Sequence, residues 1–168
     1  MEILIAGLIL VALMAYASTK IKKRAAEAFE SELIENEAYS LQKPDGFLHV
    51  IDSPDHSLEA YSREFDEGDF RARRAKIELQ VFRDRGMDDV VGEITKNARR
   101  ADVLLSSENI SVIETEERNN EMAVSAVYKI IAVQDAIYRL RFAVTDKYRD
   151  EYSDKINRTL ESFAVKSN

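Results

Sequence analysis

The sequence predicts an α+β chain, with an N-terminal transmembrane helix followed by a mostly antiparallel sheet packed by helices. Three observations predict it. Residues Ile3 to Thr19 form one uncharged, apolar run. Period-two alternation recurs further on, as in Ala75 to Val81 and Tyr138 to Val144, the mark of half-buried strands. Two segments, from Met87 and from Tyr148, switch to the helical period, while short turns join the strand segments, as antiparallel neighbours require.

The apolar run comes first. As a helix rising about 1.5 Å per residue it covers roughly 26 Å, the short end of what spans a bilayer. Lys20, Lys22, Lys23 and Arg24 follow it and can snorkel to the interface to extend its reach. A cleaved signal peptide is the alternative, since Ala15-Tyr16-Ala17 mimics a small-x-small cleavage site. Only Met1 and Glu2 precede the core, however, and a secretory signal carries its positive charge there. With no cysteine in the chain, no thiol exists for a lipoprotein anchor. The basic flank predicts a domain on the cytoplasmic side by the positive-inside rule, an extracytoplasmic domain being the alternative. Gly7 has Val11 four positions on, so no GxxxG dimer face is supported.

This divides the chain into an anchor with its basic flank (1–24), a stalk (25–36) and a domain (37–168). The stalk, Ala25 to Asn36, is rich in helix formers and is expected to continue the membrane helix, with Phe29 and Leu33 on one face. The chain carries −7. Its first 24 residues hold four basic side chains against Glu2, which leaves −10 on the rest. A domain so acidic repels phosphate backbones and excludes nucleic acid as the main partner. The absence of Cys and Trp removes disulfide frameworks, thiolate metal sites and thiol nucleophiles.

Along the domain, Ala38 to Leu41 reads as a strand, stopped by the turn Pro44-Asp45-Gly46-Phe47. Leu48 to Ile51 and Leu58 to Phe65 are further strands. The acidic loop Asp66 to Asp69 leads into the strand Arg73 to Arg83. Met87, Val90, Val91, Ile94 and Ala98 line one face of a helix, with Asp88 and Asp89 in its first turn and Lys96, Arg99 and Arg100 at its end. Ile110 to Glu116 and Met122 to Val133 flank a hairpin at Arg118-Asn119-Asn120. Tyr128 to Val133 is apolar on both faces, as in a central strand. Gln134-Asp135 turns the chain into Ala136 to Val144. A closing helix begins after Thr145-Asp146, either of which can cap it, and buries Tyr148, Tyr152, Ile156, Leu160 and Phe163.

This order of elements resembles the PsbP-like fold, shared by photosystem accessory proteins and LpqN-type lipoproteins. The resemblance rests on the early Pro44-Asp45-Gly46-Phe47 turn, the late hairpin at Gln134-Asp135 and the closing helix ending Thr159-Leu160-Glu161-Ser162-Phe163. It covers roughly residues 37–165, with Phe47 where a Trp is expected. The resemblance implies a non-enzymatic accessory or binding role at a membrane and brings no catalytic residues.

Sites are few. Asp52, Asp55, His56 and Glu59 form the one cluster that could hold a cation, at a spacing that matches neither an EF-hand nor a zinc signature, and a solvated turn is the competing reading. Arg71, Arg73, Arg74 and Lys76, with Arg139 and Arg141, stand out against the acidic background. They either form a patch for an acidic partner or for lipid headgroups, or protect a sheet edge and pair with carboxylates across strands. Tyr128, Tyr138, Phe142, Tyr148, Tyr152 and Phe163 either fill the core or line a ligand pocket. Two glycosylation triplets, Asn109-Ile110-Ser111 and Asn157-Arg158-Thr159, are chance matches in a chain that reads as bacterial. There is no G-x-S-x-G, P-loop or dinucleotide fingerprint, and no cofactor is implied. The expectation is therefore a single-pass, membrane-anchored accessory protein, not an enzyme, contacting lipid through residues 3–19 and binding a protein partner. A carrier of a lipid or small apolar ligand is the alternative, and a hydrolase using paired carboxylates a further one.

Overall fold

The computed structural model describes residues 2–51, 53, 57–67, 70–119 and 122–166, with side chains except those of 2–12, 24–25, 65–67, 70–72 and 119. It opens on a continuous helix, α1 (Glu2–Glu27). Among the described residues no helix is long and apolar enough to cross a membrane; the side chains of the apolar run up to Ala12 lie outside them.

The helix does not continue through the stalk. Phe29 and Glu30 close two tight turns, their N–H groups donating to Ala26 and Glu27 carbonyls at 3.0 Å, and the chain then enters strand β1 (Glu32–Glu35). Tertiary pairing overrides helix propensity here: Ile34 packs against the core and β1 pairs along β2 (Tyr39–Lys43). The junction is held from the domain side. Lys43 is buried, and its Nζ donates to the carbonyls of Ala28 (3.2 Å), Glu30 (2.6 Å) and Phe47 (2.8 Å). Gly46, at φ 82 in the expected turn, donates its N–H to Phe29 O at 2.6 Å.

The strands that follow are β3 (Phe47–Val50), β4 (Leu58–Ser62), the hairpin β5 (Glu64–Glu67) and β6 (Phe70–Arg73), and β7 (Ala75–Phe82). Helix α2 (Met87–Asn97) leads into β8 (Arg100–Ser106), β9 (Ile110–Asn119), β10 (Met122–Val133) and β11 (Ala136–Thr145). A short turn of 3-10 helix over Asp146–Tyr148 precedes α3 (Arg149–Ser162) and β12 (Ala164–Val165). Every strand pairing is antiparallel among the described residues. The main sheet has seven strands in the order β3-β4-β7-β11-β10-β9-β8, and β1-β2-β12 form a second. The fold is thus the expected antiparallel α+β arrangement.

Two corrections concern boundaries. The long strand expected over Leu58 to Phe65 breaks at Arg63 into β4 and β5, because β4 pairs with β7 while β5 turns back on β6. Arg99 and Arg100 do not end α2; Ala98 closes it, its N–H donating to Ile94 O at 3.1 Å, and Arg100 opens β8.

The main sheet is covered on both faces, which explains the doubly apolar β10. One face meets α3 and the small sheet in a core of Leu41, Phe47, Ile77, Leu79, Leu140, Phe142, Tyr152, Ile156 and Phe163. The Phe47 and Phe142 rings meet edge to face at 5.5 Å. The other face meets α2 through Val90, Ile94, Ile113, Ala126, Tyr128 and Ile130. At about 1.5–3 kcal/mol for each large side chain, the two layers share the sheet as a common wall.

Candidate functional site

Period-two geometry sends Lys76, Glu78 and Gln80 of β7 to the α2 face, opposite the buried Ala75, Ile77 and Leu79. The β7–β11 register sets Glu78 across from Arg141 and Gln80 across from Arg139, and the β10–β11 register adds Tyr128 beside Arg141. Glu78, Gln80, Arg139, Arg141 and Tyr128, with Glu117 of β9 and Glu93 of α2, line a cleft of about 320 Å³.

Arg141 is the hub. Its Nε donates to Tyr128 Oη (2.9 Å), its Nη1 to Glu78 Oε2 (2.5 Å) and its Nη2 to Glu117 Oε2 (2.6 Å). Tyr128 and Thr115 hydroxyls donate to Glu117 Oε1 at 2.6 and 2.9 Å. Lys76 Nζ bridges Glu78 (2.8 Å) and Glu59 (2.7 Å). Next to it, Arg139 donates to Glu93 at 3.1 Å and to Gln80, and Arg85 meets Glu93 at 2.5 Å. Four cations and four carboxylates thus balance one another in a half-buried network.

Burial pushes the Glu78 carboxyl up, but Lys76 and Arg141 outweigh it and hold it below the usual carboxylate range. Glu117 behaves alike: burial raises it, and Arg141 with the Tyr128 hydroxyl more than reverses that. Arg85, ahead of Arg139, lowers Glu93. Burial raises the Tyr128 phenol, opposed by Arg141 and reinforced by Glu117. At neutral pH these carboxylates are therefore ionised and the phenol is protonated. General acid–base catalysis works best with a group titrating near the working pH, and the cleft's shifts run away from neutrality. What the arrangement does is clamp α2 and five strands together.

The expected arginine patch is divided. Arg139 and Arg141 share the cleft. Arg73 lies 3.4 Å over the Tyr61 ring and pairs with Glu64 at 3.1 Å. Arg74 lies 4.4 Å over the Tyr148 ring and reaches Glu151 of α3, while the Arg71 side chain lies outside the described residues. The split arises because Arg74 sits in the bend between β6 and β7, outside the alternation of β7, and from there reaches α3. Of the cation candidates, Asp52, Asp55 and His56 lie outside the described residues, and Glu59 is bonded to Lys76 and to the Ser53 hydroxyl at 3.0 Å. Among the described residues no group of three His, Asp or Glu could hold a metal ion. The aromatics divide as well. Phe142, Tyr152 and Phe163 fill the α3 core, Tyr138 and Tyr148 pack against it, and Tyr128 faces the cleft.

The sequence reading missed Glu78, Glu93 and Glu117 as partners of the arginines. For Glu78 the signal was present in the polar face Lys76-x-Glu78-x-Gln80 beside Arg139-x-Arg141 and needed only the β7–β11 pairing, whereas Glu117 of β9 and Glu93 of α2 carried no such signal.

No protein-family model matches this chain, and no curated protein does. Solved structures do match it. LpqN of Mycobacterium tuberculosis, described as involved in cell envelope biogenesis, superposes with a TM-score of 0.57 at 10% identity, over 82% of this chain and 91% of LpqN. The likeness is one of fold. The Ran-binding protein Mog1p of Saccharomyces cerevisiae follows at 0.54 and 13%, over 82% of this chain and 96% of Mog1p. Cyanobacterial PsbP of Synechocystis gives 0.49 and 12%, over 82% and 94%. The resemblance expected from the turn, the hairpin and the closing helix is thus found at the level of fold.

Proposed function

We propose that this chain is a single-pass membrane protein whose α+β domain, held against the exit of its anchor helix, binds a protein partner at the membrane and carries out no chemistry of its own. The observation that carries this reading is the junction at Lys43. A helix of 26 residues, about 39 Å long, whose first two-thirds are apolar, passes into the domain without a flexible linker. One buried ammonium and the Gly46 N–H fasten the intervening carbonyls. Such a joint presents a folded surface at a set distance from a bilayer. The basic residues Lys20, Lys22, Lys23 and Arg24 favour the cytoplasmic side for that surface. The self-neutralised cleft supports binding over catalysis. The similar structures point the same way, one being described as Ran-binding and the other as involved in envelope biogenesis.

The test uses the absence of native cysteine. A Ser153→Cys probe on the exposed side of α3 is treated with a membrane-impermeant maleimide in intact and then lysed cells, and membranes from a separate sample are extracted with carbonate. The expected result is retention in the carbonate-washed membrane, labelling only after lysis, and a stoichiometric partner recovered by crosslinking in detergent. Release by carbonate overturns the anchor, labelling of intact cells overturns the orientation, and recovery of no partner overturns the binding role.

A further inference from the structure

The far edge of the main sheet carries a feature that neither the anchor nor the cleft uses. β8 is the last strand, and Val103, Leu104 and Leu105 stand 53%, 59% and 51% exposed on it. Three consecutive exposed aliphatics on an open edge are a template for another chain. The register shows how they are displayed. Val103 pairs with Ile113 and Leu105 with Val112, so Leu104 is the extra residue of a bulge. Ile113 belongs to the α2-side core and Val112 packs on the α3-side core. Apolar side chains therefore flank the edge on both faces of the sheet. A helix laid on one face covers half of them, whereas another strand edge arriving end-on covers both.

The charges choose which strand. Arg99 and Arg100 stand at one end of the apolar triplet and Glu108 stands just beyond the other, all three exposed. Arg100 already pairs with Asp102 at 3.0 Å and Glu116 at 3.8 Å, whereas neither Arg99 nor Glu108 makes an ion pair within the described residues. When two copies of β8 run antiparallel about a two-fold axis near Leu104, each copy's Arg99–Arg100 end faces the other's Glu108. The six aliphatics then meet in the middle. Parallel pairing would set like charge on like. We propose that this edge is an isologous contact between two copies of the chain, centred on Leu104. The patch is small beside a standard interface, so the dimer is expected to be weak and concentration-dependent. This proposal stands independently of the protein partner argued above.

The experiment is sedimentation equilibrium of the full chain in detergent micelles, alongside oxidative crosslinking of a Leu104→Cys variant. The wild type is expected to form a dimer, and Leu104→Cys to crosslink readily while Ser153→Cys does not. Leu104→Lys is expected to raise the dissociation constant on the order of 100-fold by removing the central pair of leucines. Glu108→Arg is expected to raise it about tenfold through two reversed charge pairs, and so is the double variant Arg99→Glu, Arg100→Glu. An equimolar mixture of these two charge variants is expected to recover a heterodimer, which a folding defect in either could not produce. A wild type monomeric at about 100 µM with no Leu104→Cys crosslink overturns the proposal. So does a dimer that Leu104→Lys leaves intact, which would place the contact in α1 or elsewhere, and so does a charge-variant mixture that stays monomeric.

Discussion

Arg141 and Glu117 lie 24 residues apart in the chain and meet across β10 at 2.6 Å, with the Tyr128 hydroxyl bonded to both. Glu78 closes the other side of the guanidinium at 2.5 Å. Three strands thus deliver their polar faces to one planar cation, whose fork matches two carboxylates at once. The consequence is asymmetric: the intact cluster adds little net stability, but breaking it strands ionised partners away from water.

Arg141→Met is therefore expected to cost about 2–4 kcal/mol, somewhat under the figure for a fully buried pair because the cleft is half open. Arg141→Lys is expected to recover less than half of this, since an ammonium cannot hold both carboxylates in plane. Urea denaturation of the two variants at pH 7 measures both numbers. Equal stability of Arg141→Met and wild type would mean that water fills the role of the guanidinium.

The same cluster sets an acid limit. Glu78, Glu93 and Glu117 all have folded pKa values below the ordinary carboxylate value of 4.5. Between the folded and unfolded values the unfolded chain binds more protons, so stability rises with pH there. Their contribution is fully present above about 5 and is lost as pH falls through the folded values. Urea midpoints taken from pH 7 down to pH 3 are expected to stay level to about 5 and then fall. Glu117→Gln is expected to start lower and fall less steeply below pH 4.5. An acid limb as steep in Glu117→Gln as in wild type would remove Glu117 from this account.

Much of the fold was legible in the sequence, for a physical reason. Where one face of a strand is buried and the other wet, as in Ala75 to Phe82, alternation is written into the residues, and β7 falls within the predicted strand. α2 announced itself through its period and its charged ends. What stayed hidden depends on neighbours. β1, with the sequence Glu32-Leu33-Ile34-Glu35, looks helical by composition and becomes a strand because β2 lies beside it. β8 has no buried face, its triplet Val103-Leu104-Leu105 being exposed, so periodicity had nothing to report. The cleft was half visible. Arg139 and Arg141 could be named, but their carboxylates come from three other elements, and only the strand order brings those together.

Lys43 offers a test of the joint between helix and domain. Burial lowers its pKa, opposed by Glu32, whose carboxylate lies 3.8 Å away. The ammonium remains, held by three carbonyls. Lys43→Met keeps the unbranched aliphatic stem, short only of the terminal nitrogen, and removes every donor. It is expected to cost about 1–3 kcal/mol, because the Phe47 carbonyl loses its charged donor in a buried setting while those of Ala28 and Glu30 rehydrate. The clearer readout is local. Limited proteolysis is expected to cut between Glu27 and Glu32 several times faster in Lys43→Met than in wild type, releasing the domain intact. Unchanged cleavage there would show that the Gly46–Phe29 bond and the β1–β2 pairing hold the joint alone.

Two glycines separate backbone strain from steric fit, and they are expected to respond in opposite directions. Gly92 sits inside α2 with no atom beyond its own helix backbone within 4 Å of where a Cβ would go, so Gly92→Ala adds only helix propensity and is expected to stabilise by about 0.5–1 kcal/mol. Gly46 also has room, its nearest neighbour being Lys155 Nζ at 3.5 Å, but its φ is +82. An L side chain there costs about 1–2 kcal/mol in backbone strain, so Gly46→Ala is expected to destabilise despite the space. Thermal denaturation of both variants decides the matter. A stabilised Gly46→Ala would mean that the turn leaves the left-handed region when a side chain is present, and that the Gly46 N–H no longer fastens Phe29.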